Sequence, residues 1–151
     1  MAIMLTTTKQ TQSTGDKAVD GLLGGLVAGL AMALTLVGVA LASGESPGVM
    51  MGRFDVVSGN AAATGALLHL AVSGIYGAVF ALMYYAMVGL RPRTQPYGWL
   101  MGLLYGLLLW ALAQGVFLPA AASPLLDIPT FGFILAHVVY GLVLGYRVQK
   151  M

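Results

Sequence analysis

The sequence predicts an all-α polytopic membrane protein, with four transmembrane helices arranged as two parallel hairpin repeats. Three observations carry this. Hydrophobic residues make up 59% of the 151 residues and charged residues only 8%, against roughly 25% charged in a soluble domain. So few charges cannot cover a water-facing surface, and the mean hydropathy of +0.89 agrees. The apolar residues fall into four runs, each able to cross a hydrocarbon core of about 30 Å. Finally, the first half of the chain reappears in the second with its glycines in register.

Residues 1–16 are rich in Thr, Gln and Ser and read as a polar tail ahead of a transmembrane domain at 17–151. The first apolar run, Val19 to Ala42, carries no charge after Asp20 and is expected to span. Ala40-Leu41-Ala42 resembles a signal-peptide cleavage site, but the run is too long for a signal core, so it is expected to stay uncleaved. Residues 43–59 form a long loop. Within it Ser46-Pro47 suits a helix start, and Val49, Met50, Phe54 and Val57 could form a short helix lying in the interface.

A second helix is expected over Asn60 to Gly89, longer than a span needs, with Tyr84 and Tyr85 at an interfacial belt. Arg91-Pro92-Arg93-Thr94-Gln95-Pro96 ends it as a stiff turn. The third helix covers Tyr97 to Leu118 and stops at Pro119. A Pro-rich loop follows, and the fourth helix runs from Thr130 to Tyr146. With four crossings, Lys9, Lys17, Arg91, Arg93, Arg147 and Lys150 share one side, and Arg53 alone among basic residues sits on the other. Cytoplasmic loops carry the excess of Lys and Arg. Both termini are therefore expected in the cytoplasm.

The repeat aligns Gly21, Gly25, Gly29 and Gly38 with Gly98, Gly102, Gly106 and Gly115. After a shortened loop, Leu67, His69 and Gly77 align with Leu135, His137 and Gly145. Repeat 1 spans about 18–90 and repeat 2 about 97–147. Both copies enter the membrane from the same side, so a pseudo-two-fold axis along the membrane normal is expected. Small residues recur four apart at Gly25 and Gly29, at Gly98, Gly102 and Gly106, at Ser73 and Gly77, and at Gly141 and Gly145. Such stripes let helix backbones approach closely in lipid. They are expected to build the bundle, with some left over to face a partner subunit.

His69 and His137 are the only histidines, and each heads a stripe of small residues: His69, Ser73, Gly77 and His137, Gly141, Gly145. Ionisable residues inside a membrane are functional candidates. The leading reading is structural, with each imidazole bonded to a neighbouring helix and the second histidine explained by duplication. A second reading makes His69 and His137 axial ligands of a tetrapyrrole, either haem b or a (bacterio)chlorophyll, because neutral imidazole ligates haem and small residues leave room for a macrocycle. Arg53 is then the one basic group near enough for haem propionates. A third reading is a small transporter or channel. Two histidines without a membrane carboxylate make a poor metal site, and no metal is expected. The absence of cysteine removes thiolate sites.

Enzyme motifs are absent: there is no HExxH, no nucleophile elbow, no P-loop and no paired carboxylates. No catalysis is expected, and the small net charge of +2 does not point to nucleic acid. The duplicated Gly-rich hairpins, with His69 followed by Tyr76-Gly77 and His137 by Tyr140-Gly141, resemble small bacterial four-helix membrane proteins of the domain-of-unknown-function kind. The resemblance covers about residues 18–147. It implies a bacterial inner membrane and assigns no activity. The functional expectation is a non-catalytic accessory subunit, packed by glycine faces against other subunits of a respiratory or photosynthetic complex or against itself.

Overall fold

The computed structural model describes residues 13–151, so most of the polar tail lies outside the described residues. Helix α1 spans Thr14–Ala42. It starts slightly before the expected tail boundary because Ser13 and Asp16 form a reciprocal cap. The Asp16 backbone N–H donates to Ser13 Oγ at 3.1 Å, and the Ser13 N–H donates to the Asp16 carboxylate at 2.8 Å. This satisfies two donors that the first helical turn would leave orphaned.

Helix α2, Pro47–Gly52, is capped by the Ser46 side chain. Helix α3 spans Ala62–Leu90, and a 3-10 turn over Pro92–Tyr97 leads into α4, Gly98–Leu112. A π turn at Ala113–Phe117 and a last helical turn, α5 at Leu118–Ala120, continue α4. After a 3-10 turn at Pro124–Asp127, α6 runs over Thr130–Lys150. It extends past the expected Tyr146, with Arg147 and Lys150 in a last turn whose exposed carbonyls favour cations. Four stretches are long and apolar enough to cross a membrane: Thr14–Ala42, Ala62–Leu90, Pro92–Ala120 and Thr130–Lys150. The chain is a multi-pass, all-α membrane protein, with no strand among the described residues.

Each hairpin is closed by glycine. In the first, α1 lies on α3 with Gly21, Gly25 and Gly29 against Gly77 and Ser73. A Cβ on Gly25 would stand 2.9 Å from Gly77 Cα, and one on Gly29 would stand 2.6 Å from Ser73 Cβ. In the second, α4 lies on α6 with Gly98, Gly102 and Gly106 against Gly145 and Gly141. Here a Cβ on Gly102 would stand 2.6 Å from Gly145 Cα, and one on Gly106 would stand 3.1 Å from Gly141 Cα. The pairings repeat position for position, as two copies of one hairpin should. They also correct one expectation: none of these stripes is left over for a partner, because each faces the other helix of its own hairpin.

The two hairpins join along one seam, between α1 and α6. Gly24, Ala28, Met32, Leu36 and Ala40 recur every fourth residue on α1 and are all buried. Gly132, Ala136, Tyr140, Leu144 and Val148 do the same on α6. The two faces meet where Gly24 approaches Leu144 and Val148, and where Gly132 sits against Val39. Two-fold symmetry would demand an equal seam between α3 and α4, but those helices barely meet. Their contact runs through Tyr105, whose hydroxyl donates to the Tyr76 carbonyl at 3.0 Å and whose ring lies 5.2 Å from that of Phe80.

Candidate functional site: a cavity in the open seam

Above Tyr105, towards the end of the bundle that carries the two long loops, the α3–α4 seam opens into a cavity of about 340 Å³. Its walls follow from the repeat. Leu68, Val72 and Tyr76 of α3 line it, and they occupy the positions that Ala136, Tyr140 and Leu144 hold on α6. Across from them, Leu109, Ala113 and Phe117 line it, at the positions of Met32, Leu36 and Ala40 on α1. The cavity is thus the second copy of the α1–α6 seam, held open. Its mouth faces sideways, where Val72 is 48% exposed, Tyr76 38% and Phe117 57%. The π turn at Ala113–Phe117 falls on this wall, whereas α1 is regular over Leu36–Ala40. One extra residue in a helical turn re-aims the side chains around it, and such turns recur at binding sites.

The roof comes from the loops, through Phe54 and Val56 on one side and Leu125 on the other. Asp55 sets the first of these. Its carboxylate accepts from the Val57 and Ser58 backbone N–H groups at 2.9 Å each, from Ser58 Oγ at 2.6 Å, and from the Ala61 N–H at 2.9 Å. The Ser58 hydroxyl, then the Ser58 N–H, hold its pKa well below the ordinary carboxylate value. Four donors on one carboxylate pin the stretch that enters α3, including the left-handed Gly59 and Asn60. Helix α2 packs down on this knot. Met50 and Met51 are buried, and Gly65 leaves no room for a side chain beneath the Met51 backbone. The expected short helix over Val49, Met50, Phe54 and Val57 is confined to Pro47–Gly52, so Phe54 and Val57 lie beyond it, and Val49 and Val57 are exposed on the bundle.

The back wall holds both histidines. The His69 Nε2–H donates to the Gly29 carbonyl of α1 at 3.0 Å, and the edge of Phe54 meets its ring at 4.8 Å. His137 instead turns to its own helix: Nδ1–H donates to the Phe133 carbonyl at 2.9 Å, with Phe133 edge-on at 4.6 Å. The carbonyl acceptors dictate the tautomers, since only an N–H can serve them. A neutral imidazole, the form an apolar chamber without a carboxylate among its lining residues favours, then keeps one unprotonated nitrogen. This is Nδ1 on His69 and Nε2 on His137. Among the described residues the one buried side-chain nitrogen or oxygen without a partner is Trp110 Nε1. Both histidines line the cavity, and neither free imidazole nitrogen is among the buried unpartnered atoms.

The histidines share a chamber, as expected from their equal depth, but their stripes do not face each other across an axis. Each stripe faces the glycines of its own hairpin, and the two rings are oriented differently. This decides how a tetrapyrrole fits. His137 offers Nε2 with Nδ1–H held by a carbonyl, the arrangement of an axial ligand. His69 offers Nδ1, crowded by its own Cβ, and its Nε2 is bonded to Gly29. Arg53, the one candidate for propionates, is engaged by Glu45 in two bonds of 2.6 and 2.8 Å. Bis-histidine haem ligation does not fit this arrangement. Nor do three or more His, Asp or Glu side chains gather anywhere among the described residues as a metal site.

No family model, no curated protein and no solved structure matches this chain.

Of the remaining polar groups near the cavity, one is committed to the bundle. The Tyr140 hydroxyl donates across the core to the Ser73 carbonyl at 2.7 Å, and Ser73 Oγ lies on the side of its helix beside Gly29. Sequence reasoning found His69 and His137 but missed Asp55, Tyr105 and the lining faces of α3 and α4. One signal was present: at the repeat position of Ala28 the second copy carries Tyr105, a large residue in place of a small one.

Proposed function

We propose that this chain is a non-catalytic membrane protein that takes a small lipid-soluble molecule from the bilayer into the cavity between α3 and α4. The observation that carries this reading is the unequal seam. One copy is packed shut; the other holds about 340 Å³, within the range of ligand pockets, and opens towards the lipid. A few polar groups in an apolar chamber are the usual means of orienting a ligand, and here they are two imidazole nitrogens. Of the features behind the accessory-subunit reading (small size, no catalytic set, small-residue faces and polar tails), the small-residue faces are taken up in closing the hairpins.

Both termini lie in the cytoplasm on this reading, from the six-to-one distribution of Lys and Arg. The cavity then sits in the outer half of a bacterial inner membrane, the setting that the resemblance implies. The test is organic extraction of the protein purified in mild detergent, beside the Ala113→Trp variant, whose indole would fill the chamber. A small molecule carried by the wild type and missing from a folded variant supports the proposal. Identical extracts from the two proteins would sink it.

A further inference from the structure

The polarity of the chamber restricts what enters it. We infer that the ligand carries hydroxyl donors on an aromatic ring, as a hydroquinone or related phenol with an apolar tail does; this rests on the reading of the cavity as a ligand site. Both histidines line the chamber and give their N–H to backbone carbonyls, so the ring nitrogens left to a ligand are acceptors. A buried acceptor left without a donor costs the desolvation of its lone pair. A carbonyl-only ligand, such as a quinone or an ester, would leave both imidazoles unmatched. A ligand with two hydroxyls could serve both.

Of the hydroxyls near the chamber, that of Tyr140 is given to the Ser73 carbonyl, and Ser73 Oγ lies on the side of its helix beside Gly29. Tyr76, at the mouth, can donate or accept and so does not select between the two kinds of ligand.

Shape points the same way. Phe54, Phe117, Phe133, Tyr76 and Tyr140 surround the space, and aromatic walls favour edge and offset contacts with another ring. A volume of about 340 Å³ suits a ring-sized head, while the open side of the seam lets a long chain trail into the lipid. The acceptors stand on two different helices at equivalent positions of the repeat. A ring with two hydroxyls carries one donor for each, which a single alcohol does not.

The experiment uses the full chain in detergent, kept anaerobic, and titrates three probes by calorimetry: a decyl-substituted benzohydroquinone, its dimethyl ether, and the corresponding quinone. Two hydrogen bonds predict that the hydroquinone binds roughly tenfold or more tighter than the ether or the quinone. His69→Phe and His137→Phe should each shrink that preference. Equal binding of hydroquinone and ether to the wild type overturns the inference, and needs no variant to fold. So does a preference that survives both substitutions in folded protein. In either case the cavity remains a site for lipid-soluble molecules. If no probe binds and extraction shows nothing displaced by Ala113→Trp, the reading of the cavity falls as well.

Discussion

Gly102→Ala is the sharpest test of how the hairpins are held. A methyl at Gly102 would stand 2.6 Å from Gly145 Cα and closer still to the Gly141 carbonyl. Ordinary carbon contacts lie at about 3.5–4.0 Å, so α4 and α6 must part by about 1 Å. Nothing at the contact can yield by rotation, because the obstructing atoms are backbone. Overpacking of this kind costs about 1–3 kcal/mol, and the better helix propensity of alanine returns about 0.5–1 kcal/mol. Gly38→Ala is the control. No atom lies within 4 Å of its Cβ position, so only the propensity gain applies. The two variants should differ by about 2 kcal/mol, or roughly 30-fold in the unfolding equilibrium. The assay is reversible unfolding of the isolated protein in mixed micelles of mild detergent and dodecyl sulfate. If the glycine stripes served an outside partner, Gly102→Ala would leave the lone protein as stable as Gly38→Ala does, and that result would refute the packing argument.

Two further outcomes follow from the loops. Asp55→Asn replaces an acceptor of four donors by a group that can serve fewer, so the roof and the start of α3 should loosen, read as a lower melting temperature at neutral pH. The wild-type carboxylate is held below its ordinary value. Its contribution is therefore complete above about pH 5, begins to fall near pH 4 and is lost as pH drops through the depressed folded value, so the gap between wild type and variant should narrow as pH is lowered below about 4. The chain has no cysteine, so single cysteines report topology cleanly. An impermeant maleimide should label Val57→Cys in intact cells and Met151→Cys only after permeabilisation; the reverse pattern would invert the proposed orientation.

Four helices and their repeat were legible because membrane sequence states them directly, in run length and in glycines at fixed spacing. The stop at Arg91, the cap at Ser46 and the start at Thr130 were equally local and appear as expected. Partner choice was not legible. Gly25 and Gly102 announce a close contact, but a stripe of small residues does not say which backbone it meets. Reading the stripes of His69 and His137 as facing each other used symmetry where the structure uses hairpin neighbours. Asp55 was passed over as one more loop acid because its four donors come from residues brought together only by the turn. The tautomers of the histidines were beyond sequence for the same reason. His69 reaches Gly29 on another helix and His137 reaches Phe133 on its own, although the same register surrounds both.

The cavity itself is a consequence of duplication followed by divergence. Two identical hairpins would form two identical seams, each as tight as α1 against α6. The closed seam needs small residues: Gly24 and Ala28 let α6 settle onto α1, and Gly132 lets it settle against Val39. At the matching positions the open seam carries Met101 and Tyr105 on α4 and Thr64 on α3. Tyr105 is too large to vanish into a helix contact, and its hydroxyl must find a partner in an environment without water. It does so on the Tyr76 carbonyl, standing as a strut between the helices. Below it the ring packs on Phe80; above it the helices diverge, and the π turn carries Ala113 and Phe117 along the cavity wall. Such a gap in a membrane bundle forgoes close packing, the chief attraction between helices in lipid. Chance drift after duplication would more readily leave the seam merely loose. Here the roof is pinned by Asp55, the floor is propped by Tyr105, and the back wall holds two imidazoles by backbone bonds. Each of these fixes the shape of the volume rather than filling it, which supports the proposed binding site over ordinary packing.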